Sequence, residues 1–171
     1  MGLSAGLWAL PLIWPATIST GHAAGKARVY VVQKRIPRTL SERKLLRFAK
    51  TNRAKVLQEK KDKPIDERQW RAEMVLSFKR PPFGRRGGAQ EFTVLFYDLE
   101  RRQEFIQDLV VMVPDPSQKT FVQKIRLKRP NFQPNHRIRM VVTLNRREVA
   151  EVELTLRGEQ KKRSGVVDFN E

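Results

Sequence analysis

Trp70, Ala72, Met74, Leu76 and Phe78 alternate with Arg71, Glu73, Val75, Ser77 and Lys79. A period of two puts the first set on one face of a strand and the second on the other, so this segment predicts a half-buried β-strand. The same signal recurs down the chain. In 120–128, Phe121, Ile125 and Leu127 face inward, with Lys124, Arg126 and Lys128 outward. In 136–144 the inward set is Ile138, Met140, Val142 and Leu144, and in 149–157 it is Ala150, Val152, Leu154 and Leu156. Residues 27–36, 102–113 and 164–169 read as further strands. Residues 91–99 are apolar on both parities, which predicts a strand covered on both faces. Same-face pairing of 136–144 with 149–157 is incompatible with a plain two-residue loop, so a three-residue loop or a bulge is expected between them.

One segment has a different period. Leu45, Leu46, Ala49, Val56 and Leu57 fall along one stripe at 3.6 residues per turn, with Arg43, Lys44, Arg47, Lys50 and Lys55 mostly off it. Ser41 is a suitable N-cap, Glu42 suits the positive end of the helix dipole, and Pro64 lies beyond the last turn. These features predict an amphipathic helix over about 41–60. Seven or eight short strands with a single helix predict a mainly β fold. The expected architecture is an antiparallel β-sandwich, immunoglobulin-like, with one N-terminal amphipathic α-helix. The predicted core is Trp70, Met74, Leu76, Phe96, Phe121, Ile125, Leu127, Met140, Val142, Val152 and Leu154.

The first 25 residues carry no Lys, Arg, Asp or Glu. An apolar run followed by "GHAAG" has the layout of a secretory signal peptide, and Gly21 and Ala23 occupy the small-residue positions before a cut after Ala23. The expected organisation is a cleavable leader at 1–23 and one domain at 24–171. Two other readings are a membrane anchor and a buried N-terminal helix. Spanning needs ~20 apolar residues, and Pro11 and Pro15 interrupt a shorter run. The expected location is therefore the periplasm or the extracellular space, with no transmembrane span after the leader. The chain has no Cys, which rules out disulfides, thiolate metal sites and a cysteine nucleophile.

Charge gives a direction for function. The formal net charge is +17, and residues 26–63 hold fourteen Lys or Arg against three acids. Residues 64–113 hold eight of each sign. Such a chain attracts polyanions. Two groups of cations are candidates for anion binding. Arg43, Lys44, Arg47 and Lys50 form the polar face of the helix. Lys124, Arg126 and Lys128 lie outward on one strand and Arg137 and Arg139 on another, and the five would cluster if those strands pair. Glu151 and Glu153 are available to neutralise that cluster from within.

Catalytic chemistry is poorly represented. His136 is the one His beyond the leader, which leaves zinc ligation and a Ser-His-Asp triad short of residues, and a solvated strand-end His is the expected state. Ser41 and Lys44 match a Ser-x-x-Lys nucleophile motif, but its companion motifs are missing and N-capping accounts for Ser41. Asp98 and Glu100 read as solvated turn residues. No metal or other cofactor is expected, and the chain is read as a non-enzyme. The expected function is an exported, non-catalytic module that binds an anionic envelope polymer, a lipid headgroup or an acidic protein, as part of a larger envelope assembly. The alternative is a basic nucleic-acid-binding protein. It draws on the charge and on the single Arg-Gly-Gly at 86–88. Phe92, Phe96, Phe105 and Phe121 fall on apolar strand faces, which makes them core rather than base-stacking platforms.

Overall fold

The computed structural model describes residues 27–83 and 90–160. The expected leader, the Arg-Gly-Gly at 86–88 and the expected strand at 164–169 lie outside them. The described elements are β1 (Ala27–Val32), α1 (Glu42–Thr51), β2 (Val56–Lys60), a short 3-10 turn (Ile65–Glu67), β3 (Gln69–Phe78), β4 (Glu91–Asp98), β5 (Glu104–Met112), β6 (Thr120–Lys128), β7 (Arg137–Leu144) and β8 (Arg147–Arg157).

The strands form an antiparallel β-sandwich, immunoglobulin-like in architecture, with one amphipathic helix near the N-terminal end. In one layer, β3 is flanked by β1 and β2 on one side and by β6 on the other. In the other layer, the order is β8-β7-β4-β5. β2 joins them: Glu59 and Lys60 pair antiparallel with β3, while Val56–Gln58 pair parallel with Thr155–Arg157 of β8. The sandwich is therefore continuous at β2 and ends, at the opposite margin, in β6 and β5.

Between the layers lies the main core, with Trp70, Phe92, Phe96, Phe132, Met74 and Met140 among its largest fully buried side chains. Every predicted core residue is buried except Val152, which is half-buried against the cluster. The alternation seen in the sequence thus reads out directly as the inner faces of β3, β6, β7 and β8. Phe121 packs edge-on against Phe78 and Phe83 and lies 5.8 Å from Phe92 on the opposing layer. Residues 91–99 depart from the expected two-sided coverage: Phe92, Val94, Phe96 and Asp98 are buried, while Thr93, Leu95 and Tyr97 on the outer face are half-buried.

The predicted helix 41–60 is two elements. α1 stops at Thr51, where Asn52 caps it with both its backbone N–H and its Nδ2 donating to the Phe48 carbonyl at 2.9 and 3.0 Å. Val56 and Leu57, which extend the helical stripe on paper, belong to β2. Parallel pairing with β8, distant in sequence, outweighs the local 3.6-residue period there. Ser41 occupies the N-cap position, but its side chain makes no capping hydrogen bond. The apolar side of α1 packs on the outer face of β1 and β3. Ala49, Val32, Ile36 and Val75 form a second small core there, with Leu40, Leu45, Leu46 and Phe48 around it.

The β7–β8 hairpin contains the expected bulge. Its loop is Asn145–Arg146, both left-handed (φ 50° and 62°). Val149 is the extra residue, between the pairs Thr143–Glu148 and Val142–Ala150. The bulge restores the parity that a two-residue loop alone would break.

Candidate anion-binding face

The nine predicted cations separate into two groups that never meet. Lys124, Arg126 and Lys128 lie on β6, which pairs with β3. Arg137 and Arg139 lie on β7, which pairs with β4 and β8 in the other layer. The cluster expected from a β6–β7 pairing does not form.

Arg137 and Arg139 are internally neutralised. Arg137 Nε donates to Glu100 Oε1 at 2.9 Å, and Arg139 Nε donates to Glu151 Oε2 at 2.8 Å. Arg139 also lies 3.6 Å from Glu148. The bond from Arg137 holds the Glu100 carboxyl below its ordinary range. Glu148 shifts the other way: burial raises it, and the neighbouring Glu151 adds to the rise. Of the two carboxylates expected to compensate this surface, Glu151 makes the direct bond.

The other seven share one surface. α1 lies across the outer face of β1 and β3, and β6 continues that layer beside β3. Thr120 Oγ1 donates to Glu42 Oε1 at 2.8 Å, tying the first turn of α1 to the start of β6. With the apolar side of α1 packed on the sheet, Arg43, Lys44, Arg47 and Lys50 are all exposed. Lys124, Arg126 and Lys128 are exposed on the outer face of β6. Among the described residues, none of these seven makes an ion pair. Like charges meet once in this register, Arg126 opposite Arg71, and Asp62 answers Arg71 at 3.5 Å.

A cleft of about 530 Å³ runs between the segment after β1 and β6. Arg35, Arg38 and Lys124 stand around it, over apolar side chains that include Leu40, Leu45 and Val122. Glu73 lies in the same cleft, and its Oε2 accepts the Ile36 N–H at 2.9 Å, which fastens this segment to the sheet. Arg35 and Arg38 belong to the basic block seen in the sequence, but no periodicity marked them as site residues. Only the folding-back of 33–40 over β3 brings them to Lys124.

His136 is not a solvated strand-end residue. It is partly buried, and its Nδ1 lies 2.7 Å from Oδ2 of Asp98, itself almost fully buried. Asp98 also accepts the Glu100 N–H at 2.9 Å. The pair fastens the β4 end to the segment before β7. No hydrogen bond joins Ser41 to Lys44 among those described, and both side chains are exposed. Among the described residues, no three His, Asp or Glu side chains gather into a metal-holding group. No described helix is long and apolar enough to cross a membrane.

The molecule is thus a β-sandwich with one strongly basic outer face. No family model matches the sequence, and no curated protein matches it. Several solved structures align with the chain at low identity and low TM-score. An immunoglobulin-like protein from Pseudomonas aeruginosa aligns over 78% of this chain and 93% of its own, at 14% identity and a TM-score of 0.38. A β-glucuronidase of glycoside hydrolase family 2 aligns over 54% of this chain at 8% identity and a TM-score of 0.38. A putative β-galactosidase from Bacteroides fragilis aligns over 78% at 12% identity and a TM-score of 0.37. The chain spans only 10% of that β-glucuronidase and 18% of that β-galactosidase.

Proposed function

We propose that this protein is an exported, non-catalytic module that binds an anionic polymer, lipid headgroup or acidic protein partner of the cell envelope, through the face built by α1 and β6. One observation supports it above all. Seven cations on that face have no carboxylate partner among the described residues, whereas Arg137 and Arg139 on the other layer are answered by Glu100, Glu151 and Glu148. Unpaired like charges on one surface repel one another, and a bound polyanion relieves that repulsion. The binding is electrostatic. The apolar stripe of α1 is already packed on Val32, Ile36 and Val75, so it has no free apolar face to sink into a bilayer.

Nucleic acid is the less favoured polyanion. Stacking on bases needs exposed aromatic rings beside the cations. Phe92, Phe96 and Phe121 are buried, and Phe105, exposed against the sequence expectation, lies on β5 in the other layer.

The test compares two charge variants against anionic vesicles, lipopolysaccharide and heparin. Reversing Arg43, Lys44, Arg47 and Lys50 to Glu should leave the circular dichroism unchanged and weaken binding steeply. Arg137→Gln with Arg139→Gln should leave binding close to wild type. Wild-type affinity should fall as salt rises from about 50 to 200 mM, where screening shortens to roughly 8 Å. A folded four-fold reversal that binds every polyanion as tightly as wild type overturns the assignment of this face.

A further inference from the structure

No strand among the described residues covers the margin opposite β2 on either layer. Among the described residues, β5 pairs only with β4, and β6 pairs only with β3. Unpaired strand edges are templates for another strand. The four exposed large hydrophobic side chains among the described residues all lie on these two strands: Phe105 (53% exposed), Val110 (49%) and Met112 (57%) on β5, and Val122 (46%) on β6. The two edges differ in charge. β5 carries Glu104 and Asp108 and no cation, while β6 carries Lys124, Arg126 and Lys128 and no acid.

The geometry points to self-association, in which β5 of one copy pairs with β6 of a second copy, and β6 of the first with β5 of the second. Strand direction permits it. β6 is antiparallel to β3, β3 to β2, and β2 runs parallel to β8. The steps from β8 through β7 and β4 to β5 each reverse direction. β5 therefore runs antiparallel to β6. A two-fold axis along the strands carries the open margin of one copy onto that of the other, with each layer meeting the opposite layer of its partner. Both new strand pairs are then antiparallel, and the contact closes on itself as a dimer.

The side chains match in the same arrangement. On β5, Asp108, Val110 and Met112 point outward, as do Val122, Lys124 and Arg126 on β6. The register that sets Asp108 opposite Lys124 of the second copy also sets Val110 opposite its Val122. The bulge at Ile106 then brings Phe105 opposite Arg126 of the second copy. Opposite charges, an apolar pair and a cation over a ring are favourable cross-strand neighbours. The acidic β5 edge answers the difficulty that a chain of net charge +17 repels its own copies.

Sedimentation equilibrium of the full chain at physiological salt should show a dimer at up to about 100 μM, a range that covers weak, transient contacts. Asp108→Lys alone, and Lys124→Asp alone, should each raise the dissociation constant tenfold or more, about 1.4 kcal/mol. Both substitutions in one chain should restore the dimer. Met112→Lys, which leaves the basic face untouched, should weaken it while polyanion binding stays at the wild-type level. A wild-type monomer throughout the range overturns the proposal and leaves the two edges to residues 161–171 or to a strand from another protein. So does a dimer that both single reversals leave unchanged.

Discussion

Glu59 is buried, and its carboxylate meets the Arg129 Nε at 2.6 Å and the Arg68 Nη1 at 3.8 Å. Its Oε2 also accepts the Glu159 N–H at 3.2 Å. Arg129 lies 5.6 Å from the centre of the Trp70 ring, and Trp70 Nε1 donates to the Arg157 carbonyl at 2.8 Å. Gly158 leaves room for this cluster, because a Cβ there would sit 2.8 Å from Glu59 Oε2 and 3.0 Å from Trp70 Cζ2. The cluster ties β2, β3 and the ends of β6 and β8 together. Glu59→Gln would leave the largely buried Arg129 guanidinium without its counter-charge. Removing one member of such a pair costs about 3–5 kcal/mol, and urea denaturation of the variant should show a loss of that order. At the surface, Arg137 holds the Glu100 carboxyl below the ordinary glutamate range. A depressed carboxyl adds stability above its unfolded value and loses it as the pH falls through the folded one. Nuclear magnetic resonance titration should therefore place Glu100 below a free glutamate, and Arg137→Gln should move it upward. Glu100 is exposed, so global stability should change little.

Among the elements, the β7–β8 hairpin carries a local strain that can be tested. Asn145 and Arg146 are both left-handed, as a two-residue turn of this type requires. Asn tolerates that conformation, but Arg does so at a cost of roughly 1–2 kcal/mol. Arg146→Gly should raise stability by about 0.5–1 kcal/mol, after allowance for the greater freedom of glycine in the unfolded chain, as read from the denaturation midpoint. The position is exposed, so no packing is lost. α1 shows a different balance. Its apolar residues serve the small core with Val32, Ile36 and Val75, while its charged face is left to solvent or to a partner.

Taken whole, the molecule is asymmetric in charge. The outer face of the β6-β3-β1 layer, with α1, holds seven cations that make no ion pair among the described residues, while β7 pairs both of its arginines with carboxylates and β5 bears acids and exposed apolar residues. A basic face for a polyanion and an open margin for a second copy meet at β6: the dimer engages Lys124 and Arg126 and leaves Arg43, Lys44, Arg47, Lys50 and Lys128 to the polyanion. The export reading has its own measurement. The intact mass of protein recovered from the envelope or medium should correspond to a chain beginning at Ala24 or Gly25, and a mass that includes Met1–Ala23 would contradict it.

Local order in the sequence was enough to determine β3, β6, β7 and β8 and their inner faces. Trp70, Met74, Phe121, Ile125, Met140 and Leu154 are inward because side chains alternate along any strand, whichever neighbour it pairs with. The hairpin bulge was legible for the same reason, since parity on both strands must agree. The apolar stripe of α1 followed from its period. Tertiary structure alone decided the rest. Val56 and Leu57 continue a helical pattern, yet become a strand because β8, about a hundred residues on, supplies backbone partners. Lys124 and Arg139 seem alike on paper, each an outward cation on an alternating strand. Lys124 stands opposite Glu73, whose Oε2 accepts the Ile36 N–H, and makes no ion pair, whereas Arg139 bonds Glu151. Pairing between distant strands is a long-range choice that no window of sequence contains. That choice decides which cations are neutralised and which edges are left open.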